Sequence, residues 1–255
     1  GDLRTASTRE WLVTNGIGGF AAGTISGVLT RRYHGLLIAA LRPPLGRTLL
    51  CSHLDETAQV GATSYPLSSS RWASGSTTGH GHRHLEHFAL DGRIPTWTYA
   101  LGDALLEKRI FMPRQRNTTC VQYLLRRGSA DGSPVTLRIK AQVNYRDYHG
   151  ETHARDWAMR VEALPTGDGL RVLAYRDATP LTLRAEQSRV MPAHIWYRDY
   201  LLAHEQERGF TGHEDHLHVG EFILTLVPGQ AACVVASAGD PVESYGDGTA
   251  LWTSL

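Results

Sequence analysis

The stretch PTWTYALGDALLEKRIFM, residues 95–112, decides the fold. On either side of Gly102 and Asp103 the chain alternates core-seeking and polar residues, with β-branched and aromatic side chains enriched. A period of two places one face of each run in a core, and a two-residue link containing Gly closes such runs into a hairpin. The same signature, short runs bounded by Gly, Pro, Asp or Ser, recurs at 24–30, 34–40, 47–51, 84–90, 118–127, 134–144, 157–163, 170–175, 219–227 and 231–237. Residues 118–127 and 134–144 read as a second hairpin. Few intervening stretches are long enough for a crossover helix, so a parallel βαβ sheet is disfavoured. The expected class is all-β: a large antiparallel β-sandwich, with residues 1–255 forming one domain.

Three segments depart from that pattern. Residues 61–83, rich in Ser, Thr and Gly, read as a long surface loop. Residues 144–156, NYRDYHGETHARD, mix aromatic and polar groups and suit a contacting loop. Residues 195–208 place Trp196, Tyr200 and His204 at helical spacing before Gly209, which predicts a helix with a terminal glycine.

Composition narrows the function. A hydrophobic share of 42% with 20% charged residues is that of an ordinary globular protein. The formal net charge is +1 with acids and bases interleaved, so no broad positive field exists to hold a nucleic acid. No apolar run reaches membrane-spanning length, and residues 1–10 show no leader pattern. Cys51, Cys120 and Cys233 stand far apart in odd number, as buried thiols of a reducing, cytoplasmic setting.

The densest segment is residues 14–40. Gly16, Gly18 and Ala21 formally match GxGxxA but lead into TISGVLT rather than a helix, so no dinucleotide cofactor is expected. The glycines read as turn formers. Thr30 to Gly35, TRRYHG, sets Arg31, Arg32, Tyr33 and His34 against an apolar strand. Fork-like donors and ring faces suit sugar hydroxyls and sugar rings, and equally a buried network or a domain contact. His80, His82 and His84 would line one strand face and could ligate zinc, but only Glu86 stands near them, and solvated histidines without metal are expected. Hydrolysis of a glycosidic bond needs two carboxylates across it. The neighbours Asp55 with Glu56, Glu205 with Glu207, and Glu214 with Asp215 would alternate faces; only a cross-chain pair such as Glu205 with Asp215 remains. No catalytic residue is assigned. Neither GxSxG nor HExxH occurs. Trp72, Trp97, Trp157, Trp196, Tyr145 and Tyr148 offer stacking rings for a pyranose, or core filling.

The run EWLVTNGIGGFAAGTISGVLTRRYHGLLIAA at 10–40, followed by PPLGRTLLCSHLDE, resembles the opening of bacterial and archaeal glycogen debranching enzymes. LEKRIFMPRQRNTTCVQY at 106–123, VNYRDYHG at 143–150 and the segment 196–230 extend the resemblance along nearly the whole chain. It implies a β-supersandwich similar to galactose mutarotase, preceding an (α/α)6 barrel that carries the amylo-α-1,6-glucosidase carboxylates. On that reading this chain is a non-catalytic N-terminal domain; its partners are its own catalytic domain, which would follow residue 255, and α-glucan or glycogen. Its binding or interface residues are Asn15, Arg31, Arg32, Tyr33, His34, Tyr145, Tyr148, Trp196, Glu214 and Asp215. YRDY at 197–200 and the histidines at 80–87 depart from the family pattern. Two other functions stay open: an independent carbohydrate-binding module, and a mutarotase or epimerase with a His and Glu acid/base pair.

Overall fold

The computed structural model describes residues 2–155, 157–240 and 245–249. A short helix α1 (Leu3–Thr8), capped by the Asp2 carboxylate accepting from the Arg4 and Thr5 amides, leads into the first sheet. Here β1 (Glu10–Thr14), β2 (Phe20–Thr24), β3 (Gly35–Arg42) and β4 (Leu45–Val60) pair in sequence, and β5 (Thr63–Pro66) folds back on β4. A small hairpin, β6 (Ser70–Arg71) with β7 (Thr77–Thr78), follows. The meander β8 (Leu85–Asp91), β9 (Ile94–Leu101), β10 (Ala104–Phe111) and β11 (Thr118–Arg127) builds half of the second sheet. The chain then crosses to β12 (Val135–Asp147), which lies beside β4 in the first sheet.

The second sheet resumes with β13 (Arg160–Ala163), β14 (Gly169–Leu173) and β15 (Leu181–Arg184). The first is completed by β16 (Arg189–Leu201), the short α2 (Ala203–Glu207) and β17 (His213–Leu226). Finally β18 (Ala231–Ala238) slots between β15 and β11. The orders are β1-β2-β3-β4-β12-β17-β16 and β13-β14-β15-β18-β11-β10-β9-β8, with every pairing antiparallel.

This is the expected all-β sandwich. Val135, Leu137, Ile139, Ala141 and Val143 of β12 face Leu106, Tyr123 and Leu125 of the second sheet within one core cluster. Fully burying such a side chain stabilises the fold by about 1.5–3 kcal/mol. The 95–112 hairpin forms as read, with Gly102 at φ +65°.

Five local expectations fail, one of them in part. Residues 118–127 and 134–144 are no hairpin: β11 pairs with β10 and β18, β12 with β4 and β17, so the linking residues cross between sheets. Residues 25–30 leave the sheet, because Thr24 Oγ1 donates to the Val28 carbonyl and Gly27 takes φ +82°. The 61–83 segment holds β5 to β7, and Leu67, Ser68 and Ser69 are buried in it. Residues 195–201 extend β16, with bulges, one at Asp199 with φ +63°, since the ladder with β17 outweighs a weak helical period. The expected helix is confined to α2, Ala203–Glu207, and it does end before Gly209, at φ +81°. His80 to His84 form a 3₁₀ turn, so their imidazoles share no strand face.

Candidate functional site

Alternation gives the first sheet two unlike faces. On its outer face β12 carries Gln142, Asn144 and Arg146, β17 carries Glu214, His216 and His218, and β4 carries His53 and Asp55, opposite the core-facing residues between them. Where this face meets the loop between β2 and β3, the TRRYHG segment is fixed by ion pairs. The Arg146 guanidinium grips Glu214 through two bonds of 2.7 and 2.8 Å, and its second amino group also donates to the Arg32 carbonyl at 2.8 Å. Arg32 in turn lies 3.3 Å from Glu205, which accepts from the Arg32 amide and is also approached by Arg208 at 3.5 Å. Both carboxylates are buried. Two guanidinium groups, Arg32 and Arg208, flank the exposed Phe210 ring.

His34 reads out its own protonation. The Thr30 amide donates to Nδ1 at 3.1 Å, so Nδ1 is an acceptor and the proton sits on Nε2, 3.3 Å from Glu10. Burial lowers the His34 pKa, in keeping with a neutral ring. The Glu10 carboxyl, hydrogen-bonded by His34 and by Arg31 at 2.7 Å, is held down to about 2. Tyr33 completes the edge: its hydroxyl meets His149 Nδ1 at 3.1 Å, and its ring leans on Tyr148. Arg47 stands over the Tyr148 ring and donates to the Gly18 carbonyl. Gly18 is required there, since at φ +100° a Cβ would come within 2.8 Å of the Pro44 carbonyl oxygen. Along this edge runs an open groove of about 650 Å³, walled by Glu10, Leu12, Phe20, Arg31, Tyr33 and Arg47.

The structure thus gathers Arg31, Arg32, Tyr33, His34, Tyr148 and Glu214 at one edge. Asn15 lies nearby in the β1–β2 turn with its side chain fully engaged: it accepts from Ile17 and Gly19 and donates to Arg116 and Asn117. Asp215 binds the Ala154 and Asp199 amides. Tyr145 and Trp196 lie elsewhere, the first against Tyr175, the second against Trp157 and the core. Arg47, Arg146 and His149 were not singled out from the sequence, although Arg47 falls in PPLGRTLL and the other two in VNYRDYHG. Only the long-range pairing of Arg146 with Glu214 marks that residue as essential to the edge.

The candidate carboxylates are all engaged. Asp55 accepts from Ser68, while Glu56 faces the core against Lys108 and the Tyr123 hydroxyl. Glu207 is held by His204. Among the described residues, no group of three or more His, Cys, Asp or Glu is placed to hold a metal, and no helix is long and apolar enough to cross a membrane. All three cysteines are free and buried, and burial pushes the Cys51 thiol up to about 12.

A family profile described as glycogen debranching enzyme N terminal matches residues 9–233, and the chain belongs to that family. Among solved structures, a bacterial glucoamylase complexed with acarbose is similar with a TM-score of 0.45 and 9% identity, over 97% of this chain and 34% of that one. The chain therefore spans about a third of that protein's length. No curated protein matches it.

Proposed function

We propose that this chain is the non-catalytic N-terminal domain of an amylo-α-1,6-glucosidase, acting in a reducing cytoplasm, that braces the enzyme's (α/α)6 catalytic barrel with its TRRYHG edge and helps shape the α-glucan site there. The carrying observation is the build of that edge. Buried Glu205 and Glu214 anchor Arg32 and Arg146 from behind, so Arg31, Tyr33, Tyr148 and Phe210 are presented outward on a rigid base. Donors and ring faces pre-set in this way favour contact with a partner over chemistry of their own. The engaged state of each carboxylate supports leaving bond cleavage to the barrel.

In the full-length enzyme, Tyr33→Ala should lower debranching activity by tenfold or more, about 1.4 kcal/mol, while the melting temperature of this chain stays within a few degrees of the unmutated one. Undiminished release of glucose from a branched dextrin would refute the assignment. Affinity electrophoresis of the 255-residue chain in glycogen gels measures what the edge binds without the barrel, and retardation weaker than that of the full-length enzyme is expected.

A further inference from the structure

Away from the TRRYHG edge, the outer face of the first sheet carries a row of side chains that no ion pair explains. His53 on β4, Gln142 on β12 and His218 on β17 are direct cross-strand neighbours. Gln142 is fully buried and His53 is 6% exposed. Yet Gln142 Oε1, Gln142 Nε2 and His53 Nε2 have no hydrogen-bond partner in the protein. Each such group gives up its hydrogen bonds to water and regains none, so an apolar residue of similar volume would serve packing better than Gln142 does. One step further along lies the cross-strand pair Asp55 and Lys140. Over the other end sit rings: Tyr197 against His218, Tyr200 against His216, and Trp72 roughly parallel to Tyr197 at 6.4 Å. Trp72 belongs to the two-rung β6–β7 hairpin, tied to β16 by a single bridge and by the Ala73 amide on the Asp199 carbonyl.

The chemistry of the row selects its ligand. Burial lowers the pKa of His53, His216 and His218, so the imidazoles are neutral. His218 donates from Nδ1 to the Ala141 carbonyl and keeps Nε2 as an acceptor, His216 accepts from Asn144 on Nδ1 and keeps Nε2–H as a donor, and His53 Nε2 has no partner. An anion would find Lys140 already opposed by Asp55 and the rings unprotonated, and a metal would lack its ligand set among the described residues. Alternating donors and acceptors beside flat rings match a ring of neighbouring hydroxyls.

We propose that the His53–Gln142–His218 row is a binding site for one neutral pyranose ring, reached when the Trp72 hairpin lifts, and separate from the TRRYHG groove. The source is a free aldohexose or the end of a glucan chain. The site does not depend on the parent enzyme's activity.

Imidazole Cε1 proton resonances of the 255-residue chain, followed by NMR during titration with glucose and with maltotriose, test it. Saturable shifts of His53, His216 and His218 with either sugar are expected, and the tighter of the two identifies the source. Gln142→Met should weaken binding at least tenfold. Should that variant fail to fold, Trp72→Ala on the half-exposed hairpin should do the same. The proposal falls if no shift appears up to about 100 mM of either sugar, the weak limit of specific binding. It also falls if inorganic phosphate moves the same resonances. Shifts confined to His34 would sink it too, while placing sugar in the groove of the proposed edge.

Discussion

Two polar regions share the outer face of the first sheet, and they solve burial in opposite ways. At the edge, Arg146 and Arg32 meet Glu214 and Glu205, and the neutral His34 has both ring nitrogens engaged. In the His53–Gln142–His218 row no charge pairing occurs, and three polar atoms lack partners. A charge-paired network, even with Arg32 Nε and Glu205 Oε2 meeting only as an ion pair at 3.3 Å, fixes geometry for something outside itself. An unfilled one gives up stability that packing could have supplied, and such a cost is typical of a recognition site.

The largest expected effect separates the two regions. Arg146→Ala strands the buried Glu214 carboxylate and also frees the Arg32 carbonyl, so urea unfolding should show a loss of about 3–5 kcal/mol. Replacing both partners, as in Arg146→Met with Glu214→Leu, should recover most of that loss. A single-variant loss under about 1 kcal/mol would mean the edge is not a buried staple.

Acid should reveal the histidines next. In the fold, burial keeps His53 and His216 below the ordinary value of 6.5, whereas the unfolded chain protonates there. The unfolded state therefore binds more protons below about 6.5. Stability is full above that value and falls as pH drops through it, by up to about 1.4 kcal/mol per pH unit for each ring. Burial raises Glu214 despite Arg146, which works in the opposite sense. Comparing the unmutated chain with His53→Leu cancels that contribution, and the variant should lose part of the slope between about pH 6.5 and 5. Equal slopes would show that His53 already carries a proton in the fold, against the neutral row.

How far these regions were legible follows from the range of the interactions. The 95–112 hairpin was readable because its two strands are sequence neighbours and its turn residues lie between them. The placement of β12 was not, because its partners β4 and β17 lie on either side in sequence and are chosen by core packing. TRRYHG announced itself by composition. Its anchors did not, since Arg146 and Glu214 stand 68 residues apart and the sequence placed Glu205 and Glu214 among candidate catalytic carboxylates. Trp196 and Tyr200 looked helical because a spacing of four fits a helix and a strand alike, and the choice of strand comes from pairing with β17, leaving only Ala203–Glu207 helical. Gln142 gave no signal at all, as a glutamine in a strand is ordinary until its burial and lack of partners are seen.

Gln142→Met sharpens the contrast at smaller scale: it removes two unsatisfied buried atoms at nearly constant volume, so the unfolding free energy should rise by about 1 kcal/mol in chemical denaturation, and a loss instead would mean that Gln142 is satisfied in the fold. Smaller still is Glu10→Gln. The Glu10 carboxyl is held down to about 2 from its ordinary 4.5, so its contribution is present above 4.5 and fades as pH falls toward 2. Its side chain is 37% exposed, and solvent screening limits the effect at pH 7 to below about 1 kcal/mol. Because His34 donates from Nε2, the amide oxygen of the substituted side chain still accepts that proton, while Arg31 loses a charge partner. Chemical denaturation at about pH 7 and about pH 2 should then show the variant slightly weaker at the higher value and nearly level at the lower. An equal deficit at both values would mean that Glu10 acts through packing rather than charge, and Arg31 would be free to turn toward the groove.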